Sequence, residues 1–165
     1  YLKNLNPAAK ILNLGALMTV KNIKSLDDLR LKKIDLLDYD YIILPGYLIK
    51  QLPNNSIDVF INTRSFMEMN TETVKFYFSQ IHRTINKAGI FYCVNRYEKK
   101  TSGDTIKIKK FPFDEKWSFE ISRKSFSQPL IHEALLRRTR LKNYKLRKEL
   151  MRLKPYDVEF FRSLV

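Results

Sequence analysis

The sequence predicts an α/β fold: a mostly parallel sheet with helices on both faces, an antiparallel edge, and a basic helix at the C-terminus. Three observations lead there. Short apolar runs at residues 10–14, 40–44, 57–61 and 90–94 read as strands, and several stop at turn residues. Helical patterns separate the first run from the second and the third from the fourth, and such alternation argues for parallel strands covered on both sides. From residue 105 the pattern changes to apolar residues alternating with lysines, which suits an edge strand with one wet face.

The elements follow in order. Residues 10–14 form a strand after Pro7. Ser25 is a helix N-cap with Asp28 at the third helical position, ahead of Leu29 and Leu31. Residues 40–44 form a strand halted by Pro45 and Gly46, and residues 52–56 are turn chemistry before the strand at 57–61. Asn70 or Thr71 then caps a helix whose apolar stripe is Val74, Phe76, Phe78, Ile81 and Ile85. Gly89 is its expected left-handed stop. Residues 101–104 turn the chain. Residues 105–111 and 117–121 are expected to pair antiparallel. From Pro129 to about residue 153 the expectation is a helix, although its apolar positions make no single stripe. The domain organisation read this way is an α/β domain over residues 1–128 and a basic helical tail over 129–165.

Bulk composition sets limits. A chain of 165 residues with 44% hydrophobic and 13% aromatic residues is globular rather than disordered. Cys93 is its single cysteine, so no intrachain disulfide forms, which favours a reducing, cytoplasmic setting. No Cys/His set has metal-ligand spacing, so no metal is expected. No run of about 18 apolar residues is present, so no membrane span is expected. The net charge of +14 points to an anionic partner. Nine cations lie between Arg137 and Lys154 against Glu149 alone. Nucleic acid and an anionic membrane surface are both open as partners of that stretch. Tyr144 is its one aromatic residue, and the apolar stripe is poor for a membrane anchor.

One stretch carries chemistry. The strand at 57–61 stops at Asn62, Thr63, Arg64 and Ser65, and Glu68 follows three residues later. The pattern "LPNNSIDVFINTRSFMEM" followed by "FSQIHRTINKAGIFYCVN" resembles the second half of a class I S-adenosylmethionine-dependent methyltransferase. More narrowly, Asn62, Ser65, Glu68 and Met69, with residues 91–96 and Phe111-Pro-Phe-Asp114 before Trp117, resemble the proteins described as sugar O-methyltransferases of bacterial surface-polysaccharide loci. The broad match runs over residues 8–122.

The resemblance implies a Rossmann-like sheet, S-adenosylmethionine as cofactor and methyl transfer to a sugar or other hydroxyl. It also assigns roles. Asn13, the loop of Leu44, Pro45 and Gly46, and Asn62, Thr63 and Ser65 would hold the cofactor. Arg64, Asn95 and Arg96 would bind a sugar or glycan acceptor, an acidic one included. Glu68 would take the proton of the attacking hydroxyl, with His132 as a second candidate base. Bland readings stand beside these. A carboxylate at position 68 also suits the helix that follows, Asn62 also satisfies turn backbone, and His82 reads as a surface or helix-packing residue. The family's Gly-x-Gly loop is absent, since glycine occurs only at positions 15, 46, 89 and 103. Asn13 and Gly15 stand where an acid is expected. The chain is therefore read as the carboxyl-terminal part of a longer enzyme, or a degenerate copy, with an incomplete cofactor site and no activity of its own. The alternative function is a non-enzymatic basic module that binds nucleic acid or an anionic membrane. The enzymatic reading requires the segments closing at residues 44, 62 and 95 to run in one direction onto a shared cleft.

Overall fold

Two of the short apolar runs pair as expected. In the computed structural model, which describes residues 11–13, 41–43, 46–100, 105–125 and 128–155, β1 (Ile11–Asn13) lies parallel to β2 (Tyr41–Ile43). A 3-10 helix, Gly46–Gln51, follows, with Leu48 buried. These belong to the first of two compact units, Tyr1–Pro53 and Asn54–Val165. Leu44, Pro45 and the helix start expected at Ser25 lie outside the described residues.

The second unit is built on a four-stranded sheet. Its strands are β3 (Ile57–Thr63), β4 (Ile85–Arg96), β7 (Trp117–Lys124) and β8 (Ile131–Arg138), in the order β3-β4-β8-β7. β3 and β4 are parallel, and β8 is antiparallel to both of its neighbours, so β7 runs in the same sense as β3 and β4. A small antiparallel pair, β5 (Glu98–Lys100) with β6 (Thr105–Lys107), stands apart from that sheet.

Helix α1 (Thr71–Thr84) connects β3 to β4. Its start follows the sequence: Asn70 is the N-cap, and its side chain accepts from the Thr73 amide at 2.8 Å. Val74, Phe78 and Ile81, spaced by four and three, are buried. Phe78 stacks among Phe66, Phe111 and Phe113, with ring centroids 5.3, 5.5 and 4.7 Å away. Phe91 of β4 and Trp117 of β7, both fully buried, complete this aromatic core. Each such ring pair contributes about 0.5–1.5 kcal/mol beyond its buried area. Cys93 lies in the same core, fully buried on β4.

Three expectations need correction. First, the segment beginning at Pro129 is not a helical tail. Residues Ile131–Arg138 are β8, hydrogen-bonded between β4 and β7, and the helix after them, α2 (Leu146–Met151), has only six residues. The boundary at 128/129 therefore cuts through the sheet. The local residues favour helix, but two flanking strands supply backbone partners along both edges of β8.

Second, residues 105–111 do not pair with 117–121. The former become β6 and the 3-10 turn Ile108–Lys110, and the latter join β8. Third, Gly89 is not a left-handed stop. Ala88 takes the positive φ, at 67°, while Gly89 is required by space. A Cβ there would sit 2.6 Å from Ile85 Cγ1, and 3.0 and 3.1 Å from the carbonyl oxygens of Asn86 and Asp58. The chain is crowded because two steps along β3, Ile57 to Val59, oppose five along β4, Ile85 to Ile90. Helices on both faces stay an expectation, since the helix expected at Ser25 lies outside the described residues. α1 covers the aromatic face, and on the other face Val59, Ile61 and Ile121 are exposed.

Candidate functional site at the carboxyl edge of β3 and β4

Ligands of open α/β sheets bind beyond the carboxyl ends of parallel strands. Here that edge is where β3 and β4 finish, and Asn62 and Asn95 stand side by side on it. Asn95 Nδ2 donates to Asn62 Oδ1 at 2.9 Å. Asn62 Nδ2 in turn donates to Ser65 Oγ at 2.5 Å. With its oxygen and one amide hydrogen engaged, the Asn62 amide is fixed in orientation. Asn95 is fully buried, and its Oδ1 has no partner among the described residues. Ser65 accepts from Asn62 and keeps its own proton to donate outward.

The loop leaving β3 is tightly held. Arg64 N donates to Val94 O at 2.7 Å, and Arg64 takes a left-handed conformation at φ 67°. A non-glycine residue held there costs about 1–3 kcal/mol and persists only where its surroundings over-determine it. That conformation ends the strand and starts the 3-10 helix Ser65–Glu68, which buries Phe66 and Met67 in the core. Thr63, Arg64, Ser65 and Glu68 remain exposed. The Arg64 guanidinium donates to Gln128 Oε1 at 2.9 Å.

Glu68 is ion-paired with Lys99 on β5. The hydrogen bond from Lys99 holds its carboxyl below the ordinary value; desolvation opposes it, and the charges of Lys99, Arg96 and Arg64 add to the lowering. The site edge is thus a carboxylate ringed by three cations, next to two linked amides.

His132 sits elsewhere than expected. It lies on β8, 3% exposed, directly across from Asn95 in the strand register. Its Nδ1 is 2.9 Å from Tyr97 Oη, and its Nε2 is 3.1 Å from Ser122 Oγ. Burial lowers its pKa to about 4, with Glu133 opposing, so the ring is neutral near pH 7, one nitrogen donating and the other accepting. This Tyr97–His132–Ser122 chain, buried at Tyr97 and His132 and exposed at Ser122, escaped sequence reading. Its one trace in the sequence is the alternation His132, Ala134, Leu136, all buried on one face of β8.

The remaining residues divide by unit. Asn13 closes β1 and Gly46 opens the 3-10 helix of the first unit. Arg96, exposed, follows Asn95 at the end of β4. The basic run from Arg137 is partly neutralised inside the fold: Arg137 pairs with Glu120, Arg138 with Asp114, and Lys142 with Glu115. Among the described residues no helix is long and apolar enough to cross a membrane.

No protein-family model and no curated protein matches the chain. Among solved structures the chain is similar to a Sulfolobus solfataricus protein described as a candidate type 11 methyltransferase. The two share 17% identity over 86% of this chain and 91% of that one, with a TM-score of 0.42.

Proposed function

We propose that the chain takes part in methyl transfer from S-adenosylmethionine to a hydroxyl of a sugar or related acceptor. One observation carries the reading: Asn62 and Asn95, both within the segment that resembles the methyltransferases, are linked by a hydrogen bond at the carboxyl edge of two parallel strands. When bound, the cofactor supplies an electrophilic methyl group on a sulfonium.

The residues present suit the amino-acid end of that cofactor. Its carboxylate matches the outward proton of Ser65 and the second amide hydrogen of Asn62. The unpartnered Oδ1 of Asn95 is an acceptor held close behind them. Thr63 flanks the same edge. Asn95 acts by orienting Asn62, since it is fully buried. Arg64 and Arg96 suit an acidic acceptor. Glu68 Oε is ionised near neutral pH and exposed, so it can take the acceptor's hydroxyl proton within hydrogen-bond reach. In-line displacement rewards alignment above all, which the fixed Asn62 amide provides. His132 receives no proton-transfer step in this reading, because protonating it would place a charge in a buried site. Its part is to hold Tyr97 and Ser122.

Calorimetry on the full-length protein tests the proposal. S-adenosylmethionine and S-adenosylhomocysteine should both bind, and Asn62→Ala should weaken both by about tenfold, the loss of a charge-assisted hydrogen bond. A folded protein that binds neither compound, or an Asn62→Ala variant that binds as well as the parent, would overturn it.

A further inference from the structure

We propose that the opposite end of the sheet, where β3 and β4 begin, carries a binding site for a small hydrophilic phosphate ester. A cavity of about 530 Å³ opens there, away from Asn62 and Asn95. Its walls come from separate parts of the chain: His82 near the end of α1, Ile85 and Lys87 in the irregular start of β4, Lys116 just ahead of β7, and Arg138 and Arg140 at and beyond the end of β8. The volume falls within the roughly 300–1,000 Å³ of small-molecule sites.

Charge is what sets this cavity apart. Lys87, Lys116 and Arg140 are exposed, and their side chains have no carboxylate partner among the described residues. No aspartate or glutamate lines the space. Two other cavities of the same unit are built differently. One of about 460 Å³ has Asp114 and Glu115 in its wall. In another, of about 280 Å³, Lys75 and Lys107 are already paired with Glu72 and Glu98. Like charges gathered around one space repel, and an anion placed between them converts that repulsion into attraction.

Arg138 forms a fixed wall whose charge is already matched by Asp114, which leaves Arg140 as the free arginine of the lining. Arg138 grips Asp114 with both terminal nitrogens, and its guanidinium lies 5.0 Å from the centre of the Trp117 ring. His82 adds a buried Nε2 that has no partner. Ile85 is the one apolar residue of the lining, and Arg138 covers a face of Trp117. Neither an acyl chain nor a nucleobase has a surface to rest on. Phosphate oxygens and sugar hydroxyls do: lysines serve phosphate as point charges and arginine as a fork. The site stands whether or not the carboxyl edge binds a cofactor.

The test titrates the full chain by calorimetry with inorganic pyrophosphate, a hexose phosphate and a single-stranded oligonucleotide, at about 0.15 M ionic strength, where surface charge is screened beyond about 8 Å. Pyrophosphate and the hexose phosphate should each bind at one site. Lys87→Ala and Arg140→Ala, exposed changes that leave Asp114 and Arg138 paired, should each weaken binding about tenfold, and Lys116→Gln should do the same. Lys154→Ala, an equal change of charge elsewhere on the surface, should not alter it. Absence of binding by both small anions, equal weakening by Lys154→Ala, or binding of the oligonucleotide alone would overturn the proposal.

Discussion

Asn95 donates its side-chain amide to Asn62 across 2.9 Å, joining the ends of two neighbouring parallel strands. Replacing Asn95 with alanine strips Asn62 of its donor and leaves a gap in a fully buried place. Asn95→Ala should lower folding stability by about 0.5–1.5 kcal/mol, the net worth of one part-buried hydrogen bond. Urea unfolding measures it, and a change within experimental error would show that the amide link is incidental.

The pair of Glu68 and Lys99 makes a kinetic prediction. If Glu68 takes the acceptor's proton, Glu68→Gln should reduce kcat by about 10²–10⁴-fold. Melting should barely change, because the pair is exposed. Lys99→Ala removes the leading cause of the lowered Glu68 pKa, so the acid limb of the rate profile should move to higher pH. Unchanged turnover in Glu68→Gln would remove Glu68 from the reaction.

Acid should weaken the fold through His132. Burial drives this imidazole from an ordinary 6.5 to about 4. Between those values the unfolded chain binds a proton that the folded chain refuses, so stability falls as pH falls through that window. Full stability from this source is present above pH 6.5. Its loss by pH 4 amounts to about 3 kcal/mol at 1.36 kcal/mol per pKa unit. His82, lowered chiefly by desolvation with Arg138 adding and Asp114 opposing, acts in the same direction. Urea unfolding at pH 7, 6 and 5 should show the decline, and His132→Gln should flatten it. An imidazole titrating near 6.5 by NMR would contradict this.

Gly89 and its neighbour should respond oppositely. Gly89→Ala pushes a Cβ against two carbonyl oxygens that cannot swing aside, at a cost of about 1–3 kcal/mol. Ala88→Gly relieves a left-handed alanine and should be neutral or stabilising. Thermal melts of the two variants decide it, and the reverse order would mean that the turn is misread.

Legibility in the sequence followed the range of the interactions. The Asn70 cap, the stripe of α1 up to Ile81 and the parallel runs at 57–61 and 90–94 depend on neighbours a few residues away and were readable, whereas Ile85, expected on that stripe, opens β4. β8 was not readable. Glu133, Ala134, Leu135, Leu136, Arg137 and Arg138 favour helix one by one, and the alternating face His132, Ala134, Leu136 opens on a polar residue, too faint a mark of a strand. Asn62, Thr63, Arg64 and Ser65 could be placed at a strand end because strand and loop adjoin in sequence. The Tyr97–His132–Ser122 chain and the cations at 87, 116, 138 and 140 come together only through strand pairing, which no local pattern encodes.

The sole thiol of this protein sits at the centre of the sheet. Cys93 is fully buried, and burial pushes its thiol up to about 12, opposed by the hydrogen bond from Asn95. A thiolate-seeking alkylating reagent will therefore find nothing to attack until β4 is laid bare. The rate of covalent labelling becomes a clock for opening of the sheet, readable by mass spectrometry without any engineered probe. Ligands that tighten either end of the strands should slow that clock.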